Sequence, residues 1–91
     1  MIYFQVSEKE ENKNIGILRI GDSLSDCDEY FKSLLTCALE EHFDAYVYFE
    51  TKLPTVGDII KGQGEQIPIN INIENYLFPC TIFVELTWLY E

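Results

Sequence analysis

Alternation of apolar and polar residues predicts two strands in the first twenty residues. Ile2, Phe4 and Val6 share one face of the first run, and Ile15 to Ile20 forms a second run rich in β-branched residues. The polar stretch Ser7 to Asn14 separates them as a solvated hairpin tip. Because so short a connection needs no crossover, we expect the two strands to pair antiparallel.

Three further alternating segments predict strands in the second half of the chain. They are Asp44 to Thr51, Ile67 to Ile73 and Cys80 to Tyr90. The last is the longest and is apolar on both faces, so we expect it in the centre of the sheet. Its predicted core face carries Ile82, Val84, Leu86, Trp88 and Tyr90. Pro68 has no backbone N–H, which predicts an edge position or a strand start for the segment that contains it.

Sustained helical periodicity is confined to the segment Ser25 to Phe43. Successive steps of about 100° bring an apolar stripe to one side, which we expect to face the sheet. The stripe consists of Cys27, Tyr30, Phe31, Leu34, Leu35, Ala38 and His42. Ser25 and Asp28 have capping-box spacing at the start. Glu40 and Glu41 lie near the negative end of the helix dipole, which disfavours them.

The glycine-rich stretch after the third strand is compatible with two structures. Thr55 and Asp58 have N-cap spacing and Gly62 suits the C′ position, which favours a short helix from Thr55 to Lys61. A short strand at Asp58 to Ile60 is the alternative.

A predicted turn, Glu74 to Pro79, carries three large apolar residues. They are Tyr76, Leu77 and Phe78. Such residues usually fold over the end of the core, and we expect that here. An exposed set would instead form a docking patch.

The order ββα-β-(short helix or strand)-ββ predicts an α+β fold. We expect a two-layer sandwich with one main helix packed on a four- to five-stranded, mainly antiparallel sheet. With no linker in the sequence, residues 1–91 are expected to form a single domain. The helix would cover one sheet face, and the uncovered face is expected to carry Tyr46, Tyr48, Asn70, Phe83, Glu85 and Thr87.

Sixteen acidic residues against six basic ones give a formal net charge of −10. Such a charge repels phosphate backbones and anionic lipids, so direct binding of nucleic acid or membranes is not expected. The acidity is concentrated between Asp22 and Glu50, where eight acidic residues accompany a single base, Lys32. This distribution suits a basic protein partner. The alternative is that the charge only keeps a small protein soluble.

The cysteines Cys27, Cys37 and Cys80 are odd in number and form no CxxC motif. We expect free thiols and therefore a reducing, cytoplasmic location, with a bridge from either helical cysteine to Cys80 as the alternative. The N-terminus lacks a basic start followed by an apolar run, so no leader is expected. No stretch of about 18 apolar residues predicts a transmembrane helix.

No pattern in the sequence predicts catalysis, a metal or a cofactor. His42 has no ligand partners at metal-binding spacing and is expected at the core edge, with a Cys–His nucleophile pair as the less favoured alternative. The glycines form no phosphate loop. One helix on one sheet leaves little room for a pocket, so we expect no enzyme.

We therefore expect a small acidic protein-binding module that inhibits or regulates a basic, nucleic-acid-binding or nuclease-like protein, as immunity proteins and antitoxins do. The alternative is an assembly subunit that self-associates, for example as a homodimer, through the uncovered aromatic sheet face. The expected binding residues are Asp26, Glu29, Glu40, Glu41, Asp44, Tyr46, Tyr48, Glu50, Phe83 and Glu85.

Overall fold

The helices and strands of the described chain follow one another in the predicted order. The computed structural model describes residues 1–22 and 24–89, with the backbone alone for residues 24–27 and 89. The short segment after the third strand is a helix, as favoured, and its Thr55 hydroxyl accepts the Asp58 N–H at 3.1 Å. The elements are β1 (Ile2–Glu8), β2 (Lys13–Gly21), α1 (Leu24–Phe43), β3 (Tyr46–Phe49), α2 (Val56–Lys61), β4 (Glu65–Ile73) and β5 (Tyr76–Leu89).

The five strands form one curled antiparallel sheet in the order β2-β1-β5-β4-β3. The helix α1 packs on one face, so the predicted α+β architecture and the central position of β5 are confirmed. The strand β4 lies between β5 and β3 and begins three residues before Pro68, so both the edge position and the strand start predicted from Pro68 are wrong. The Pro68 carbonyl accepts the Glu50 N–H at 3.5 Å, one residue beyond the end of β3. In an antiparallel strand the N–H and the C=O of one residue point to the same side. The N–H that proline lacks would therefore face β3, where the β3–β4 ladder ends, and the pairing of β4 with β5 needs no donor from Pro68.

A narrower stripe of α1 is buried than the periodicity predicts. Phe31, Leu35 and Leu39 are buried, and the Phe31 ring meets the Phe4 ring edge-on at 5.9 Å. The predicted stripe is wrong at Tyr30 and Leu34, which are exposed, and it omits Leu39. The buried residues follow a four-residue spacing, so only one narrow side of the helix is covered by the sheet. The side chain of Cys27 is outside the described residues.

A local hydrogen-bond pattern ends α1 without glycine. Asp44 adopts a left-handed conformation with φ 53°. The Ala45 N–H donates to the Glu40 carbonyl at 3.4 Å, which is the Schellman arrangement. Asp44 therefore performs the role that glycine usually performs at this position. Ser25, the predicted cap at the other end, is the second residue of α1 rather than the residue before it, and its side chain is outside the described residues.

The connection between β4 and β5 is shorter than predicted. Glu74 and Asn75, with φ of 53° and 70°, form a two-residue type I′ turn. The strand β5 therefore begins at Tyr76, and the expectation that the next apolar residues fold over the core is wrong. The strand residues Tyr76, Leu77 and Phe78 are exposed.

A β-bulge near the end of β5 changes the face on which its last residues lie. Leu86 pairs with Phe4 and Trp88 pairs with Tyr3, so Thr87 is the extra residue. One extra residue reverses the alternation, and Trp88 joins Tyr3 on the outer face instead of the predicted core face. Tyr90, predicted on the same core face, lies outside the described residues.

The segment after α2 differs from the predicted helix end. Gly62 has a right-handed φ of −81°, and the left-handed conformation falls on Gln63, with φ 60°. Gly64 follows with φ 124°, and a Cβ atom there would lie 2.5 Å from Cζ of Phe83. This glycine therefore lets the chain pass directly over an aromatic ring of β5.

Candidate functional site

The face of the sheet opposite α1 carries exposed aromatic residues at its β3 end. Tyr46 pairs with Asn72 and Tyr48 pairs with Asn70, and directly paired residues point to the same side of a sheet. Tyr46 is 70% exposed and Tyr48 is also exposed. The carboxylate of Glu50 accepts a hydrogen bond from the Asn70 side chain at 2.9 Å, so an acidic group borders the tyrosines.

A depression of about 530 Å³ lies beside Tyr46, between the end of α1 and the β4–β5 turn, whereas Tyr48 lines a separate groove. Its polar lining combines the side-chain amide of Asn72 with one aromatic hydroxyl and three carboxylates. The hydroxyl and the carboxylates belong to Glu40, Asp44, Tyr46 and Glu74. The Schellman ending of α1 holds Asp44 at the rim, and the type I′ turn brings Glu74 to the opposite side. We call these four residues with Tyr48 and Glu50 the acidic tyrosine site.

Glu40 also has a structural role in this site. Its Oε2 accepts the Val47 N–H at 3.1 Å, on the edge of β3 that faces away from β4. The carboxylate therefore covers an edge donor that β4 cannot reach. This tertiary contact explains a glutamate that the helix dipole disfavours.

Replacing Glu40 by alanine should lower the free energy of unfolding by about 1 kcal/mol, since the Val47 N–H loses its acceptor. The exposed neighbour Glu41 is the matched control, and Glu41→Ala should change stability by less than about 0.5 kcal/mol. Urea unfolding measures both variants, and amide exchange at Val47 should accelerate in Glu40→Ala alone. Equal losses in the two variants would contradict the assigned contact.

The remaining predicted binding residues do not line this depression. Glu29 lies eleven residues before Glu40 in α1, roughly 16 Å along the helix. Phe83 packs against Gly64, and Glu85 pairs with Gln5 of β1. Glu41 is exposed at the end of α1, and the side chain of Asp26 is outside the described residues.

Sequence reasoning did not include Glu74 among the binding residues. Glu74 and Asn75 follow a strict alternating run in the sequence, but they are not among the dipeptides that mark a two-residue hairpin turn, and the apolar residues up to Pro79 widened the predicted turn. The carboxylate reaches the site only because β4 and β5 return beside the end of α1.

A second groove, of about 620 Å³, lies between α1 and β3. One helix on one sheet thus leaves room for an open groove on this side of the molecule. Phe31, Val47 and Phe49 contribute apolar lining, and Lys32 and Lys52 contribute basic groups. Its described lining residues include neither histidine nor cysteine, so they form no Cys–His nucleophile pair.

His42 and the cysteines have separate surroundings. The His42 Nε2 atom lies 3.2 Å from Glu8 Oε1, and the imidazole packs edge-on against Phe43. Cys37 and Cys80 are free thiols, whereas the side chain of Cys27 is not described. Burial raises the pKa of the Cys80 thiol, and the carboxylates of Glu8, Glu10 and Glu11 raise it further. The protonated Cys80 thiol is therefore a poor nucleophile at neutral pH.

The described residues contain no cluster of metal ligands and no helix able to span a membrane. The His, Cys, Asp and Glu residues among them form no group of three or more that could hold a metal ion. Neither described helix combines the length and the apolar character needed to cross a bilayer.

The sequence matches no protein-family model, and neither a curated protein nor a solved structure is significantly similar to it.

Proposed function

We propose that the protein is a binding module that inhibits or regulates a basic protein, and that the partner docks on the acidic tyrosine site. The observation that carries this proposal is the depression in which the exposed ring of Tyr46 meets the carboxylates of Asp44, Glu74 and Glu40. Aromatic residues that are exposed in the free protein are typical anchors of protein interfaces.

The chemistry of the depression matches an arginine or lysine side chain. A guanidinium group stacks on a tyrosine ring and accepts no hydrogen bonds, so it suits a pocket in which carboxylates outnumber the other polar groups. Carboxylates pair with it through charge-assisted hydrogen bonds. A basic partner would therefore insert a cationic side chain beside Tyr46 and cover Tyr48 with neighbouring apolar surface.

The overall charge supports the same class of partner. A net charge of −10 attracts a basic protein over long range and accelerates encounter. Salt screens this attraction, so the affinity should fall as ionic strength rises. A partner that binds nucleic acid would lose access to its substrate once its cationic surface is covered.

Affinity capture in the native host, followed by quantitative mass spectrometry, tests the proposal. The site variants are Tyr46→Ala and the double variant Asp44→Lys/Glu74→Lys. The matched control is Glu29→Lys/Glu85→Lys, which changes the net charge equally but lies elsewhere. We expect the wild type and the control to capture the same basic protein, and the site variants to lose at least about tenfold in affinity.

Two results would contradict the proposal. An equal loss in the matched control would show that net charge alone drives binding. Undiminished capture by Tyr46→Ala and by the double site variant would exclude the acidic tyrosine site. Circular dichroism of each variant verifies that the fold is retained.

A further inference from the structure

The central strand β5 has an open edge near its start. The pairing of β1 with β5 ends at Glu8 and Ile82, and the Lys9 N–H donates to the Thr81 carbonyl at 3.0 Å. The five residues from Tyr76 to Cys80 extend beyond this point. They pair with β4 on one side, and no described strand pairs with them on the other.

Strand alternation determines which backbone N–H and C=O groups of this edge point away from β4. The Thr81 carbonyl points toward β1, so Pro79 and Leu77 direct their backbone groups to the same side. Tyr76 flanks the two-residue turn and pairs with Ile73 of β4. Pro79 has no N–H to offer. Leu77 is therefore the residue of this edge that presents both a donor and an acceptor.

The side chains of the open edge are apolar and exposed. Tyr76 is 71% exposed, Leu77 is 58% exposed and Phe78 is 50% exposed. No charged residue occurs from Tyr76 to Cys80, in a chain that is otherwise strongly acidic. Natural proteins usually protect such an edge with charge or cover it with another element. Within Tyr76 to Cys80 itself, Pro79 is the only residue of a protective type, and the carboxylates of Glu8, Glu10 and Glu11 lie near Cys80.

We propose that this open edge binds the same edge of a second copy of the chain, antiparallel and with Leu77 opposite Leu77. The two leucines then exchange both N–H···O=C hydrogen bonds across a two-fold axis. Tyr76 of each copy faces Phe78 of the other on one side of the extended sheet. Aromatic pairs across antiparallel strands are stabilising. The edge is self-complementary because its one residue with both an outward N–H and an outward C=O, Leu77, lies between two aromatic residues. A two-fold axis through Leu77 therefore pairs the backbone groups of the two leucines and brings Tyr76 of one copy to Phe78 of the other.

The same register limits the size of the interface. Each Pro79 lies opposite Asn75 of the second copy and donates no hydrogen bond, so pairing ends close to Leu77. The exposed parts of Tyr76, Leu77 and Phe78 amount to roughly 300–400 Å² per copy, which is below the standard size of a stable interface. The dimer is therefore weak and depends on protein concentration.

Self-association and binding of a basic partner should respond to ionic strength in opposite directions. Each copy carries a net charge of −10. In the proposed register the turn with Glu74 approaches the β1–β2 turn of the other copy, which carries Glu10 and Glu11. Because salt screens these repulsions, self-association should strengthen with ionic strength. The salt response thus distinguishes this inference from the proposed function.

Disulfide trapping with Leu77→Cys tests the register. Leucines paired across the axis have Cα atoms about 5.5 Å apart, within disulfide range. Under mild oxidation we expect Leu77→Cys to give a dimer linked through the two substituted positions, faster in high salt, with the linkage identified by peptide mass spectrometry. The matched control, Tyr48→Cys on the exposed β3 strand, should crosslink at least about tenfold more slowly. Equal rates would overturn the proposal.

Sedimentation equilibrium provides a measurement without engineered cysteines. The average mass of the wild type should rise with protein concentration and with salt, and Leu77→Lys should remain a monomer. Tyr48→Lys, with the same change of charge, should behave like the wild type. A wild-type chain that stays monomeric at high concentration and high salt would overturn the proposal and leave the edge to an unrelated extended segment.

Discussion

Replacing Leu39 by alanine is expected to lower the free energy of unfolding by about 3 kcal/mol. Leu39 is completely buried in α1, one turn beyond Leu35 and facing the sheet. Truncation removes its apolar contacts and leaves a cavity that close-packed neighbours fill only partly. For a chain of this length, such a loss is a large fraction of the total stability.

The matched control is Leu34→Ala in the same helix. Leu34 is 37% exposed, so its truncation removes less buried surface and should cost less than about 1 kcal/mol. Urea unfolding followed by far-UV circular dichroism measures both variants. The periodicity of the sequence predicts the reverse order, since it places Leu34 on the core stripe and omits Leu39. A larger loss in Leu34→Ala would therefore show that α1 is rotated relative to this structure.

Replacing Gly64 by alanine is expected to cost about 2–4 kcal/mol, for two separate reasons. The φ of 124° is a conformation that L side chains rarely adopt. The new Cβ would also lie 2.5 Å from Cζ of Phe83, so the ring or the backbone must move. Movement of the backbone would disturb the hydrogen bond from the Gly64 N–H to the Ile59 carbonyl, which is 3.0 Å long.

Gly16→Ala is the control for the glycine prediction. A Cβ atom at Gly16 would meet no heavy atom within 4 Å, so stability should change by less than about 0.5 kcal/mol. The double variant Gly64→Ala/Phe83→Leu should recover part of the loss if ring contact contributes. Thermal and urea unfolding of the wild type and these three variants measure the effects. Similar stabilities for Gly64→Ala and Gly16→Ala would contradict the close approach.

These stability predictions also separate structural from binding roles. Phe83 is one of the aromatic residues that the sequence predicts at the binding face, yet it packs beneath Gly64. Tyr46 and Tyr48 have no comparable burial. Substitution of Phe83 should therefore affect the fold first, whereas substitution of Tyr46 should affect partner binding.

The local sequence determined the element types and their order. A period of two in apolar residues marks the strands because alternate side chains of a strand point to opposite faces, and this holds without knowledge of their neighbours. The same reasoning located α1 and favoured α2, whose Thr55–Asp58 cap is formed within three residues. The acidic end of α1 and the tyrosines of β3 were equally visible as candidate binding residues.

Only the tertiary structure decided which apolar residues are covered and which acidic residues meet. Leu34 and Leu39 are equally apolar, and the curled sheet beneath α1 selects the second. Trp88 changes face because the pairing of β5 with β1 contains a bulge, in which Thr87 is the extra residue. Glu74 joins Asp44, thirty residues earlier, because the β4–β5 hairpin returns beside the end of α1. Periodicity describes one element at a time, whereas burial and the acidic tyrosine site depend on the packing between elements.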